Sequence, residues 1–237
     1  MSPPKATVAR QAGIFYLLMG IPAVFTLQYL PRAFFVPGDA AATAHKITES
    51  VLTYRLLVLC DLASPIFFLF LVWCLYHLLA DVDKRQARLM VMLVLVSVAI
   101  GIVDVIFLAA PLILASGADF LSVFTKPQVD ALAFGFLRLR SVLLQADEAF
   151  WGLWLLPFGI LVIRSGFIPK FIGAFLILGC FAYLAMTFTS IVFPAQARLV
   201  SQVGLPLAAP GELFMLIWLF VKGTKLQSSE AQLAYAS

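Results

Sequence analysis

Charge is what this chain has least of. Aspartate, glutamate, lysine and arginine make up 12% of its 237 residues, about half the share of a soluble domain. Cysteine occurs three times and histidine twice. Cys60, Cys74 and Cys180 all lie inside apolar runs with no CxxC spacing, which argues against a disulfide framework and against a cysteine-bound metal. His45 and His77 stand too far apart to suggest a metal site, and no cofactor is expected. Ser-His-Asp, HExxH, Walker and GxGxxG patterns are also missing, so a soluble-type enzyme mechanism has no support. The net charge of +4 is spread over loop ends rather than clustered, so no nucleic-acid partner is expected.

In place of charge there are apolar residues, 63% of the chain, with a mean hydropathy of +1.04. Six apolar runs cover about 12–30, 51–80, 89–115, 130–164, 171–193 and 199–221, and about 20 residues suffice to cross a bilayer. The fold expected is all-α: a polytopic membrane protein, a six-transmembrane-helix bundle. It forms one domain over 12–226, after a short cytoplasmic segment 1–11 and before a cytoplasmic tail 227–237. The first run exceeds the core of a signal peptide and is followed by no small-x-small cleavage site, so it is expected to be retained. Lys5, Arg10, Lys84, Arg85, Arg88, Arg164, Lys170, Lys222 and Lys225 flank one side, and only Arg32, Lys46, Lys126 and Arg198 the other. The bias places both termini in the cytoplasm, in a cell membrane.

Local signals place polar groups within these runs. Val36-Pro37-Gly38-Asp39 reads as a turn, with Asp39 capping a short helix over 40–47. In the second run Pro65 follows Asp61 by four residues, so its ring clashes with the Asp61 carbonyl and frees it. In the third, Ser97, Gly101, Asp104, Leu108 and Pro111 share a face at helical spacing. In the fifth, Cys180, Tyr183, Thr187 and Ser190 do the same, a pattern suited to helix packing and interhelical hydrogen bonds. Pro206 and Pro210-Gly211-Glu212 are expected to break the sixth helix.

The fourth run organises the rest. One stripe holds Arg138, Ser141, Gln145, Glu148 and Gly152, and the opposite one holds Arg140, Asp147, Trp151 and Trp154. A helix charged on both faces can offer neither to hydrocarbon, so it belongs at the centre, covered by the other spans. Counting along each span from its inner end puts Glu212 roughly 15 Å up, Asp104 roughly 22 Å, and Asp147 and Glu148 roughly 25 Å. Asp61 follows at roughly 28 Å, with Arg55, Arg138 and Arg140 at roughly 36–39 Å. Arginines should therefore ring an outer mouth above a well of acids.

Two outcomes are open for this set. Either the charges pair, Arg55 with Asp147 or Glu148 and Arg140 with Asp61, and lock the bundle. Or they form a working site, as intramembrane ionisable groups usually do. Three arginines cannot satisfy five acids, so one or two acids should be protonated or hydrated, Glu212 first among them. The ligand-binding set is thus Arg55, Asp61, Asp104, Arg138, Arg140, Asp147, Glu148, Trp151, Trp154 and Glu212. The leading expectation is binding or transport of a small ligand, anionic if the arginines receive it, in an outward-facing polar cavity. Alternatives are a membrane-embedded enzyme acting on a lipid or quinone, with Asp61 and Glu148 as acid and base, and a structural or regulatory subunit. The partners expected are the lipid bilayer, the small molecule and, because six spans make a small transporter, a second copy in a homodimer.

Five stretches resemble a bacterial integral-membrane family known as "domain of unknown function 4386". They are VPGDAAATAHKI at 36–47, YRLLVLCDL with Arg55 and Asp61, FWGLWLLPFG at 150–159, RSGFIPKFIG at 164–173 and GELFMLIWLFVKG at 211–223. The resemblance runs over nearly the whole chain, in order. It implies a bacterial multi-pass protein located in the inner membrane, and it brings no reaction, ligand or catalytic residue.

Overall fold

The computed structural model describes residues 5–235, with side chains described for 5–221. The first four residues, the last two, and the side chains of Lys222, Lys225 and the polar tail lie outside the described residues. The protein is 87% helical, with no strand among the described residues. The helices are α1 (Lys5–Phe34), α2 (Ala40–Glu49), α3 (Val51–Leu79), α4 (Lys84–Leu114), α5 (Lys126–Arg164), α6 (Lys170–Val192) and α7 (Ala197–Tyr235). All but α2 are long and apolar enough to cross a membrane, so the chain is a six-span helical membrane protein.

Each helix follows from its sequence. Asp39 Oδ1 accepts the Ala42 amide at 2.8 Å and starts α2, after a turn in which Gly38 takes a φ of 79°. Residues Phe25–Tyr29 of α1 form a π-helical turn, closed by the Leu30 amide on the Phe25 carbonyl. Helix α5 is interrupted at Trp154, between Lys126–Leu153 and Leu155–Arg164. Pro157 lies behind this: it has no amide to give the Leu153 carbonyl. Half of the most apolar stretch of α5 is buried, against 22–39% in the other spans, so this is the most covered helix. Lipid-facing surface is supplied by side chains such as Ile106, Val142, Ile191 and Leu199, each more than 60% exposed.

The expected break in the last span does not occur. Helix α7 runs through both Pro206 and Pro210. The two prolines are four apart, so the amide that Pro210 lacks would have met the carbonyl of Pro206. The lost bonds therefore fall on neighbouring turns, and intact turns on either side carry the helix across. Gly211 serves close approach rather than a bend: a Cβ there would lie 2.7 Å from the Leu176 backbone nitrogen of α6. Helix α3 likewise continues across Pro65.

Internal packing divides the chain into two compact units. One comprises Leu18–Ile66 and Ala99–Leu144. Its core joins Leu30, Phe34, Ile47, Tyr54, Leu57, Leu108 and Leu137. Tyr54 is fully buried, meets Phe34 edge-on at 5.1 Å, and donates its hydroxyl to the Leu108 carbonyl at 2.9 Å. The other unit comprises residues 5–17, Phe67–Val98 and 145–235. In it, glycines seat α6 against its neighbours. A Cβ on Gly159 of α5 would fall 2.7 Å from the Gly173 carbonyl of α6, and one on Gly152 2.9 Å from the Cys180 carbonyl. At the turn into α4, Asp83 Oδ1 accepts the Arg85 and Gln86 amides, each at 3.1 Å, and Oδ2 takes Arg164 Nη1 at 2.6 Å. The Gln86 amide first, then the Arg85 amide and the Arg164 guanidinium, hold this carboxyl below the ordinary carboxylate range.

Candidate functional site

Arg140 is the hub of the first unit. Its side chain is 6% exposed, and Nη2 donates to Asp61 Oδ1 of α3 at 3.0 Å. Nε stands 2.9 Å from Asp104 Oδ2 of α4, an ion pair by distance with the N–H off-axis. The faces read from the sequence account for the meeting. Arg140 shares the buried side of α5 with Ala133 and Leu137, and Asp104 shares that of α4 with Ser97 and Leu108. Gly101 lets α3 and α4 come close beside the pair, since a Cβ there would lie 3.3 Å from Pro65 Cβ.

Two carboxylates thus share one guanidinium, and the cluster is one positive charge short. Asp61 Oδ2 and Asp104 Oδ1 are buried and meet no donor among the described residues.

A second cluster lies in the other unit and has no cation. Glu212 of α7 accepts the Tyr16 hydroxyl of α1 at 2.8 Å, and the Tyr183 hydroxyl of α6 stands 3.5 Å from its other oxygen. Glu148 of α5 is reached by Thr187 Oγ1 of α6 at 3.5 Å. Asp147 accepts Trp151 Nε1 one turn along the same helix at 2.9 Å. Trp151 meets Tyr183 edge-on, with ring centroids 6.4 Å apart. None of these three acids has a lysine or arginine partner among the described residues, where the ion-paired acids are Glu49, Asp61, Asp81, Asp83, Asp104 and Asp130.

The candidate set is therefore divided. Asp61, Asp104 and Arg140 come together, and Asp147, Glu148, Trp151 and Glu212 cluster separately. Trp154 is buried, edge-on to Phe68 and stacked on Phe158. Arg55 and Arg138 are exposed. Arg140 is not above the acids but level with two of them. Counting residues along straight helices took no account of tilt or of the reach of an arginine side chain. Tyr16, Tyr183 and Thr187 complete the second cluster. The last two stood on the polar stripe of the fifth run, whereas nothing in the first run marked Tyr16 beyond its hydroxyl.

Among the described residues no group of three histidine, cysteine or acidic side chains is placed to hold a metal ion. No curated protein and no solved structure matches the sequence. A family model does match, over residues 11–223, nearly the full length. That match takes in all six apolar runs, and the chain belongs to the family described as domain of unknown function (DUF4386).

Proposed function

We propose that the protein binds a small ligand and moves it across the cell membrane, with proton uptake and release at its buried acids. The observation that carries this reading is the pair Asp61 and Asp104 on a single guanidinium. An excess negative charge at bilayer depth is expensive, and a proton held between the two carboxyls removes it. Such a proton is also exchangeable: a ligand that changes the Arg140 contacts changes how many protons the pair can keep. The Glu212 cluster supplies a second station, where tyrosine hydroxyls can donate to the ionised acid or accept from the protonated one.

Arg140 is already neutralised, which leaves Arg55 and Arg138 as the arginines of the set that can meet an anionic group. In this reading both termini face the cytoplasm and two copies form the working unit. A reporter fused in the loop at Lys84 should read cytoplasmic, and a periplasmic signal there would reverse the orientation.

The transport reading is tested in proteoliposomes loaded with a pH-sensitive dye and offered fractionated metabolite extract. A fraction that binds should move protons in wild type. In Asp104→Asn, which keeps the shape but cannot exchange a proton, it should still bind and move none. Proton movement of wild-type size in Asp104→Asn would refute the coupling.

A further inference from the structure

We infer that the cavity under α2 is a recognition site for an amine carried on an apolar body. This site is separate from the buried acids and stands whether or not the protein transports anything. The cavity measures about 430 Å³ and lies within the unit formed by Leu18–Ile66 and Ala99–Leu144. That size falls in the range of small-molecule sites, roughly 300–1,000 Å³. Its walls come from α2, the end of α4, the 115–125 connection and the start of α5, with Ile47, Leu114 and Leu121 presenting apolar surface.

The polar groups in the wall decide the class of ligand. Asp130 is 6% exposed and lines the cavity, as does the exposed Asp119. The cation lining it is Lys126, one turn before Asp130, whose ammonium rests on the Asp130 carboxylate. Two carboxylates therefore face one ammonium. Lys126 is also poorly placed to stay. Its side chain is 73% exposed, so it holds the contact mostly from water and gains little by it. It opens α5, where the positive end of the helix disfavours its charge.

Asp130 is the reverse case, a buried carboxylate whose ion-pair partner sits on a flexible tether. An incoming primary amine can take the carboxylate while Lys126 swings into solvent and the apolar body of the ligand fills the hollow. A carboxylate on the same body would face Asp119 and Asp130 and be rejected. Free amines and the headgroup of an aminophospholipid both offer this chemistry.

The test uses full-length protein in phosphatidylcholine nanodiscs and two matched probes, 2-(1-naphthyl)ethylamine and 1-naphthylacetate, followed by calorimetry. The amine should bind at least about tenfold more tightly than the acid. Lys126→Met, which removes the competing ammonium, should tighten amine binding, and Asp130→Asn should abolish the preference. Should Asp130→Asn fail to fold, Ala133→Leu, which fills the cavity wall, should block both probes with the carboxylate intact. Equal affinity for the two probes, or amine binding unchanged by either Lys126→Met or Ala133→Leu, would overturn the assignment. Nanodiscs containing phosphatidylethanolamine separate the two sources. Competition with the naphthyl amine identifies the lipid headgroup, and unchanged affinity a free amine, and either result requires the site to exist.

Discussion

Arg140→Met should be among the most damaging single substitutions in the protein. The variant keeps an unbranched apolar stem and removes the guanidinium and its charge. Asp61 and Asp104, with side chains 10% and 4% exposed, then lose a guanidinium at 3.0 and 2.9 Å and face each other as uncompensated buried acids. Breaking a buried ion pair by deleting one partner costs about 3–5 kcal/mol. Two pairs are broken here by one change, so the upper end, about 5 kcal/mol, is expected. Replacing the whole cluster should be far milder, because well-packed apolar side chains in place of a buried ion cluster are often neutral or stabilising. Arg140→Met/Asp61→Leu/Asp104→Leu should therefore recover most of the loss. Unfolding by SDS in mixed micelles, followed by circular dichroism, measures both variants on one scale. If Arg140→Met stays within about 1 kcal/mol of wild type, or the triple variant is no more stable than the single one, the cluster is not the buried, shared-charge structure argued from its geometry.

Three further expectations rest on other parts of the molecule. Glu212→Gln should fold normally, since the amide oxygen can still accept the Tyr16 hydroxyl, but should lose pH-dependent ligand binding; a normal pH response would leave that residue as structure only. Gly159→Ala should cost about 1–3 kcal/mol by overpacking the α5–α6 contact, and an unchanged thermal midpoint would contradict the 2.7 Å approach. Asp83 is held below the ordinary carboxylate range by the Gln86 and Arg85 amides and by Arg164. Its stabilising contribution is therefore complete above about pH 4 and fades as pH falls through the lower folded value. Thermal midpoints of wild type and Asp83→Ala should differ at neutral pH and converge in acid, and a gap that persists in acid would count against the ionised cap.

What could be read from the sequence was set by periodicity. The face Ser97, Asp104, Leu108 and Pro111 is buried in the structure because a 3.6-residue repeat maps directly onto one side of a helix. The short helix capped by Asp39 was legible for a different reason, the preference of aspartate for the position before a helix. Partner choice across helices was not legible. That Asp147 takes Trp151 and Glu212 takes Tyr16 depends on rotation and tilt, which no single span encodes. Tyr16 went unnoticed because a tyrosine in an apolar run reads as an interfacial side chain until a carboxylate from the last span comes to rest on its hydroxyl. Nor could proline spacing alone say whether α7 would break, since that depends on neighbours such as Leu176.

The shared guanidinium also has a bearing on synthesis. The chain is threaded into the bilayer from its N-terminus, so the helices bearing Asp61 and Asp104 emerge from the ribosome before the one bearing Arg140. During that interval two acids have no counter-charge. They must be sheltered at the insertion machinery or enter lipid as neutral carboxyls until α5 arrives. Ribosome pausing in the α4–α5 connection, which follows Asp104 and precedes Arg140, would lengthen that exposure. A half-made chain thus carries both acids without the guanidinium that joins them in the finished protein.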